Sequence, residues 1–254
     1  MEVHHHPDIH HKKKKFKEYF FEFIMIFLAV LMGFIAENIR ENISEREKEK
    51  EYIRSLIQDL KKDTARVSRV IDLISGQING LDTLERLLTP DVNKYDSAVY
   101  QCYRLSRYLL NEFAANFSDR TITQLFNSGN MRLLKKQSIS DSIVDYYSGI
   151  KSGENQKTFY FDYINKCLDL YHNIYDFSNY RTTITKDDQV LYPKITYGNL
   201  KIMTTDANEL RKYNSTIEFT KLITYSYRES IRSLNKKAES LLIFLQKEYH
   251  LDDD

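Results

Sequence analysis

Helix-breaking residues are scarce in this chain of 254 residues. It contains three prolines and seven glycines, and no proline falls inside a stretch whose apolar residues have helical spacing. Proline and glycine are the residues that most often interrupt helices, so their scarcity favours long uninterrupted ones. The composition therefore predicts an all-α protein.

The usual signatures of catalytic and metal chemistry are also missing. The sequence has no glycine-rich phosphate loop, no H-E-x-x-H, no cysteine pair at zinc spacing and no internal repeat. Asp169, His172 and Asp176 share one predicted helical face, but a di-metal bundle needs matching carboxylate motifs on other helices, and none is found. We expect His172 to be a hydrogen-bonded structural residue. No set of nucleophile, base and orienting group can be assembled, so we predict neither an enzyme nor a cofactor.

The chain has no large excess of positive or negative charge, and it has few cysteines. The net charge of +1 gives no electrostatic reason to expect a nucleic-acid partner. Cys102 and Cys167 are the only cysteines. If their helices are antiparallel and turn near residues 128–130, the two lie offset by roughly 15 Å, beyond the reach of a disulfide. We expect free thiols.

The most apolar stretch of the chain is the uncharged run from Phe23 to Ala36. At about 1.5 Å per residue it covers roughly 21 Å, which is shorter than a hydrocarbon core of about 30 Å. Tyr19–Phe21 extend the run, with Glu22 as the single interruption. A cleaved signal peptide is the alternative, but no A-x-A pattern follows the run. We therefore predict an uncleaved signal anchor, with a transmembrane helix at residues 18–37.

A tail rich in histidine and lysine precedes this run. Residues 1–17 are too polar to fold, and their histidines are either a solvated flexible run or a site for zinc, nickel or copper. Lysines cluster just before the apolar run, whereas Arg40 is the first basic residue after it. The positive-inside rule then predicts a cytoplasmic N-terminus and a periplasmic main domain, although Arg46 and Lys48 weaken the asymmetry.

Three stretches resemble a known family. They are the opening HHHP…HHKKKKFKEYFFEFIMIFLAVLMGFIAENIRE, the segment EKEKEYIRSLIQDLKKDT and the later LFNSGNMRL at Leu125–Leu133. They are similar to a family of uncharacterised single-pass bacterial membrane proteins with a His/Lys-rich N-terminal tail. The similarity leaves the C-terminal part of the chain uncovered. It implies a bacterial membrane protein with its N-terminus inside, and it transfers no catalytic residue.

A heptad pattern follows the apolar run and continues to Leu88. Its d positions and a positions are Ile53, Leu60, Val67, Ile74 and Leu81, and Ile57, Thr64, Ile71 and Ile78. Further apolar residues at g widen the stripe, which favours packing in a bundle. The stripe fails in the charged run SEREKEKE. We therefore predict a charged helical stalk at residues 38–52, a bundle domain at residues 53–250, and a helix end before Pro90.

The rest of the chain predicts three more long helices and a short one. Their ranges are about Asp96 to Phe117, a short helix after Ser118-Asp119 that ends at Ser128–Asn130, Ile139 to about Tyr180, and about Asp206 to Tyr249. Residues 182–199 form the longest predicted loop. Glycines at 76, 80, 149 and 153 are expected to weaken the helices. The 19 tyrosines are expected at the edge of the core or around a pocket. The predicted fold is one N-terminal transmembrane helix that continues into an antiparallel bundle of about four long helices.

One face of the predicted anchor is suited to helix association. When the heptad is carried back into the run, Glu22, Ala29 and Ala36 fall at a, with Gly33 beside them. Ala29 and Gly33 form a small-xxx-small pair, which permits close approach of two membrane helices. The alternative is that Glu22 reaches the headgroups and that the pair has no role.

These observations favour a membrane-anchored interaction or scaffold protein of the bacterial envelope. Its expected partners are the lipid bilayer and either a second copy of the chain or another envelope protein. The alternative is an extracytoplasmic ligand-sensing bundle, which would have to signal through a partner because the tail before the anchor is too short for an output domain.

Overall fold

The computed structural model describes residues 16–176, 178 and 200–251, and these contain helices and no strand. The α-helices are α1 (Phe16–Leu87), α2 (Asp96–Ser106), α3 (Arg120–Asn127), α4 (Gln137–Ile174) and α5 (Ala207–Tyr249). Short 3-10 helices lie at Val92–Lys94, Arg107–Leu110 and Asn130–Leu133. The all-α prediction is confirmed. The expectations for the His/Lys-rich tail before residue 16 and for the loop at 182–199 lie outside the described residues.

The chain divides into two compact units, Met1–Glu51 and Tyr52–Asp254. In the first unit, the described residues are helical throughout, and nearly all of their large apolar side chains are exposed. The second unit has its own hydrophobic core, to which all five predicted d positions of α1 contribute as buried side chains. At the predicted a positions, Ile57 and Ile71 are also buried, whereas Thr64 and Ile78 are only partly buried.

The core of the second unit consists of three layers. Each layer is built from four successive stretches of the chain, called legs here: α1, the stretch from α2 to α3, α4 and α5. The layer formed around Ile53–Leu60 of α1 contains the start of α4 and the end of α5. The layer around Leu81–Leu88 contains the end of α4 and the start of α5. The middle layer contains residues that lie between these two sets along α1, α4 and α5. The legs therefore run up, down, up and down, which is the predicted antiparallel topology.

The second leg differs from the prediction of one helix from Asp96 to Phe117. Helix α2 ends at Ser106, a 3-10 helix follows, and residues 111–119 are neither helix nor strand. These residues still span the middle layer, where Ala115 is buried. The fourth position of the bundle is thus filled by α2, an irregular segment and α3 in series.

This irregular segment changes the register of the two cysteines. An extended chain rises about 3.3 Å per residue instead of about 1.5 Å, so nine non-helical residues can span up to roughly 16 Å more than the same residues in a helix. That extra length is enough to cancel the predicted offset, and Cys102 and Cys167 lie in the same core layer. The predicted register was wrong. The expectation of free thiols is nevertheless confirmed, because both cysteines are free and buried.

The other helix boundaries agree closely with the sequence. Helix α1 ends three residues before Pro90, and Gly129 adopts the left-handed conformation (φ +68°) that ends α3. The Asp206 carboxylate caps α5 by accepting hydrogen bonds from the backbone N–H groups of Asn208 and Glu209. Helix α4 begins at Gln137 and ends at Ile174, before the predicted end.

The helix glycines do not loosen the helices, because α1 and α4 continue through them. At Gly80, an added Cβ would lie about 2.2 Å from the Tyr108 ring, and at Gly149 it would lie about 2.8 Å from Leu234. These two positions therefore let neighbouring parts of the bundle approach the helix backbone. Around Gly76 there is no heavy atom within 4 Å of the added Cβ.

Two alanine substitutions in α1 should consequently have opposite effects. We expect Gly76→Ala to raise the free energy of unfolding by up to about 1 kcal/mol, since alanine is the better helix former. Gly80→Ala should lower it by roughly 1–3 kcal/mol, because Tyr108 must move. Urea denaturation of each variant measures both. Equal stabilisation by the two substitutions would contradict the packing of Tyr108 on α1.

Candidate functional site

Helix α1 contains one segment that is long and apolar enough to cross a membrane. None of the residues in its most apolar 18-residue window is buried. Phe23 and Phe34, for example, are 63% and 71% exposed. A core helix of equal apolarity would be covered by the rest of its own protein. Here the described part of the chain supplies no cover.

The four residues singled out from the sequence lie on this segment. Glu22, Ala29, Gly33 and Ala36 are all exposed, and their spacing places them within about 60° of one another around α1. Nothing lies within 4 Å of a Cβ added at Gly33, so this face has room for another helix. The structure brings the four residues onto one face, and their role in association stays a prediction.

The predicted metal-like trio is not brought together. His172 and Asp169 are exposed on α4, and the imidazole of His172 lies edge-on to the Tyr171 ring. Asp176 lies beyond the end of α4, where its carboxylate accepts a hydrogen bond from the Ser178 backbone N–H. Within the described residues, no three His, Cys, Asp or Glu side chains cluster as metal ligands.

The main polar feature of the bundle is the set of side chains that hold the irregular segment. The Gln77 amide, on α1, donates to the carbonyl oxygens of Tyr108 and Asn111 at 2.7 and 3.2 Å. Tyr160, on α4, donates its hydroxyl to the Gln77 side-chain oxygen at 2.9 Å and accepts from the Phe113 N–H. Side chains thus replace the backbone partners that a helix would have supplied.

Helix α5 contributes to the same arrangement through Tyr227. Its hydroxyl accepts a hydrogen bond from the buried Ala115 N–H at 3.0 Å. The Tyr227 ring is stacked on the Tyr160 ring, with centroids 4.9 Å apart. Burial raises the pKa of Tyr227 to about 12 and also raises that of Tyr160. Both hydroxyls therefore stay protonated, and they serve the segment as neutral hydrogen-bonding groups.

Two buried carboxylates of α1 fix the end of the segment. Asp63 accepts hydrogen bonds from the Ser118 backbone N–H and hydroxyl, and its third partner is the Arg66 guanidinium. Asp59 accepts from the Thr121 hydroxyl at 2.6 Å. Burial raises the pKa of Asp63, whereas the bonds from Ser118 and the charge of Arg66 act in the opposite direction. Asp59 and Asp63 are satisfied structural groups that tie the start of α3 to α1.

Tyrosines fill much of the core, which the sequence did not predict. Six are among the largest fully buried side chains: Tyr103, Tyr146, Tyr160, Tyr175, Tyr213 and Tyr227. The Tyr103 hydroxyl donates to the Lys201 carbonyl at 2.9 Å and accepts from the Asp176 N–H at 2.8 Å, so it anchors the chain on both sides of the undescribed residues. The expectation that tyrosines lie at the core edge was wrong for these six.

The two cysteine thiols, which lie in the core layer around Leu81–Leu88, are unreactive near neutral pH. Burial raises the pKa of Cys102 to about 12 and that of Cys167 to about 11, and the Cys167 sulfur lies 3.1 Å from the Thr220 hydroxyl. Because the thiolate is the reactive form, neither cysteine has the character of a nucleophile near neutral pH.

Open grooves lie on the surface between α4 and α5. The larger has a volume of about 890 Å³ and is lined by Tyr163, Lys166, Arg211 and Phe219, among others. The Tyr163 and Phe219 rings are 4.9 Å apart, and the Lys166 ammonium lies 4.0 Å from the Tyr163 ring centroid. The groove offers an apolar floor with mixed charges at its rim.

No family model, curated protein or solved structure matches this chain. The assignment of a function therefore depends on the apolar segment, the bundle and their exposed groups.

Two tyrosine substitutions test the hydrogen bonds to the irregular segment. Tyr227→Phe leaves the buried Ala115 N–H without its partner, so we expect the free energy of unfolding to fall by roughly 1–3 kcal/mol. The control is Tyr146→Phe, because the buried Tyr146 hydroxyl has no hydrogen-bond partner among the described residues. That variant should be unchanged or more stable. Urea denaturation distinguishes the two, and equal losses would contradict the role given to Tyr227.

Proposed function

We propose that the chain is a membrane-anchored scaffold or interaction protein of the bacterial envelope. The exposed apolar segment of α1 is the observation that carries this proposal. Each Å² of apolar surface removed from water is worth about 25 cal/mol, and soluble monomers rarely expose a contiguous patch larger than a few hundred Å². A lipid bilayer covers such a segment on all sides.

The basic residues around the segment set the proposed orientation. Lys12–Lys15 and Lys17 precede it, and Arg40 alone follows closely. This asymmetry supports a cytoplasmic N-terminus, a transmembrane helix at residues 18–37 and a periplasmic bundle beyond the stalk. The proposed location is the inner membrane.

The bundle is the proposed interaction module. The buried polar side chains of Gln77, Tyr227 and Asp63 hold the irregular segment, and the grooves among the described residues contain no assembled catalytic set. A scaffold role needs only a stable surface, which the bundle supplies. The second candidate is ligand sensing, and the groove lined by Tyr163, Lys166 and Arg211 is the place where a ligand would bind.

Reporter fusions test the anchor and its orientation. We expect the full chain to stay in the membrane fraction after alkaline carbonate washing. A C-terminal reporter enzyme that is active only outside the cytoplasm should give signal, whereas the same reporter at the N-terminus should be silent. The reverse pattern would overturn the orientation, and release of the protein by carbonate would overturn the membrane anchor itself.

We further propose that the anchor associates with another helix through Glu22, Ala29, Gly33 and Ala36. The small side chains permit close backbone contact, which drives association where lipid gives no hydrophobic advantage. The open space around Gly33 leaves room for a second helix on this face.

Substitutions in the anchor test this association. Gly33→Leu and Glu22→Leu should each reduce chemical crosslinking of the full-length protein in membranes, because both disturb the proposed contact face. Leu31→Phe, about 170° around the helix from the centre of that face, is the control and should crosslink like the parent. If all three variants behave alike, the anchor is only a tether.

A further inference from the structure

Helix α1 exposes an apolar pair beyond the segment that is apolar enough to cross a membrane. Ile39 and Ile43 are 56% and 58% exposed, and they lie one helical turn apart. A single exposed isoleucine on a surface needs no explanation. Two stacked on one face of a helix, among charged and polar neighbours, form an unpartnered stripe.

The polar residues around the pair leave this stripe uncovered. Arg40 forms an ion pair with Glu37, and the Asn42 amide donates to the backbone and side-chain oxygens of Asn38 at 2.8 and 2.6 Å. At about 100° per residue, Arg40 and Asn42 lie about 80° to either side of the centre of the pair. The polar groups therefore satisfy one another along the helix and frame the apolar pair.

The pair also continues the stripe of the apolar segment. In the heptad register of α1, Ile39 is at d and Ile43 is at a, in line with Met25 and Met32 at d and Ala29 and Ala36 at a. Heptad seams with apolar a and d residues pair in parallel when identical residues meet at equal heights. An anchor holds two copies in the same orientation and at the same depth, which is the arrangement that such a seam needs.

We infer that a second copy of this chain covers the stripe, so that two α1 helices form a parallel pair from Met25 to Ile43. This inference rests on the proposed membrane anchor, and it places part of the contact outside the membrane, at Ile39 and Ile43.

The charges that follow define where the seam ends. The next core positions are Arg46 at d and Lys50 at a, which would place like charges against each other in a parallel pair. Two isoleucine layers are too few to indicate a coiled coil by themselves, since the pattern is diagnostic only over about three to four heptads. The pair therefore depends on the anchor, which raises the effective concentration of the second copy.

Cysteine substitution in the full-length protein tests the seam directly. Ile39→Cys and Ile43→Cys place a thiol on the proposed seam, and Glu41→Cys, on the opposite side of the helix, is the control. The native thiols are buried and have raised pKa values, so they contribute little background near neutral pH. Mild oxidation in native membranes is followed by electrophoresis without reductant.

We expect the variants at 39 and 43 to form at least about fivefold more disulfide-linked dimer than the variant at 41, because disulfide closure tolerates only a narrow Cα separation. Equal dimer in all three variants, or none, would overturn the inference. An adduct whose mass is not twice that of the chain would assign the stripe to another protein. The carbonate wash on the same membranes separates these outcomes from a failure of the anchor, because an uninserted protein is released whatever its crosslinking.

Discussion

The bundle depends on the requirement that buried backbone polar groups be hydrogen-bonded. Three of its four legs meet this requirement as helices. The second leg does not, since residues 111–119 cross the middle layer without regular structure. Gln77, Tyr160, Tyr227 and Asp63 supply the missing partners from α1, α4 and α5. Each of these bonds joins distant parts of the chain, so they exist only in the assembled bundle.

This requirement also explains why residues 160 and 227 of the core are tyrosines. A tyrosine ring fills the space of a large apolar side chain, and its hydroxyl reaches a backbone group at the far side of the layer. Tyr160 and Tyr227 stack in the middle layer while their hydroxyls serve Phe113 and Ala115. Phenylalanine would fill the same volume and leave those N–H groups unpaired. The core therefore combines apolar packing with long-range hydrogen bonds in the same residues.

The long helices could be predicted from the sequence because their signals are local. Heptad spacing, the cap at Asp206 and the break at Gly129 all act within a few residues. The conformation of the second leg could not be predicted in this way. Its apolar residues continue with helical spacing to Phe117, whereas its hydrogen-bond partners lie far away in the sequence. In the sequence, Gln77 and Tyr227 look like ordinary helix residues, and only the tertiary structure shows that they bind the irregular segment. The same long-range effect explains why the offset expected between Cys102 and Cys167 is absent from the structure.

The two units differ in how their apolar surface is covered. The bundle buries its own stripe, and its d positions from Ile53 to Leu81 are covered by the other legs. The described part of the first unit has the same heptad register but no legs of its own to cover it. Lipid can cover Phe23 or Phe34, because acyl chains accept any apolar shape. Lipid does not extend over Ile39 and Ile43 if the membrane helix ends near residue 37. In the arrangement that we propose, a protein surface covers the exposed pair, and Arg46 and Lys50 at the next core positions limit the contact to a short seam beside the membrane.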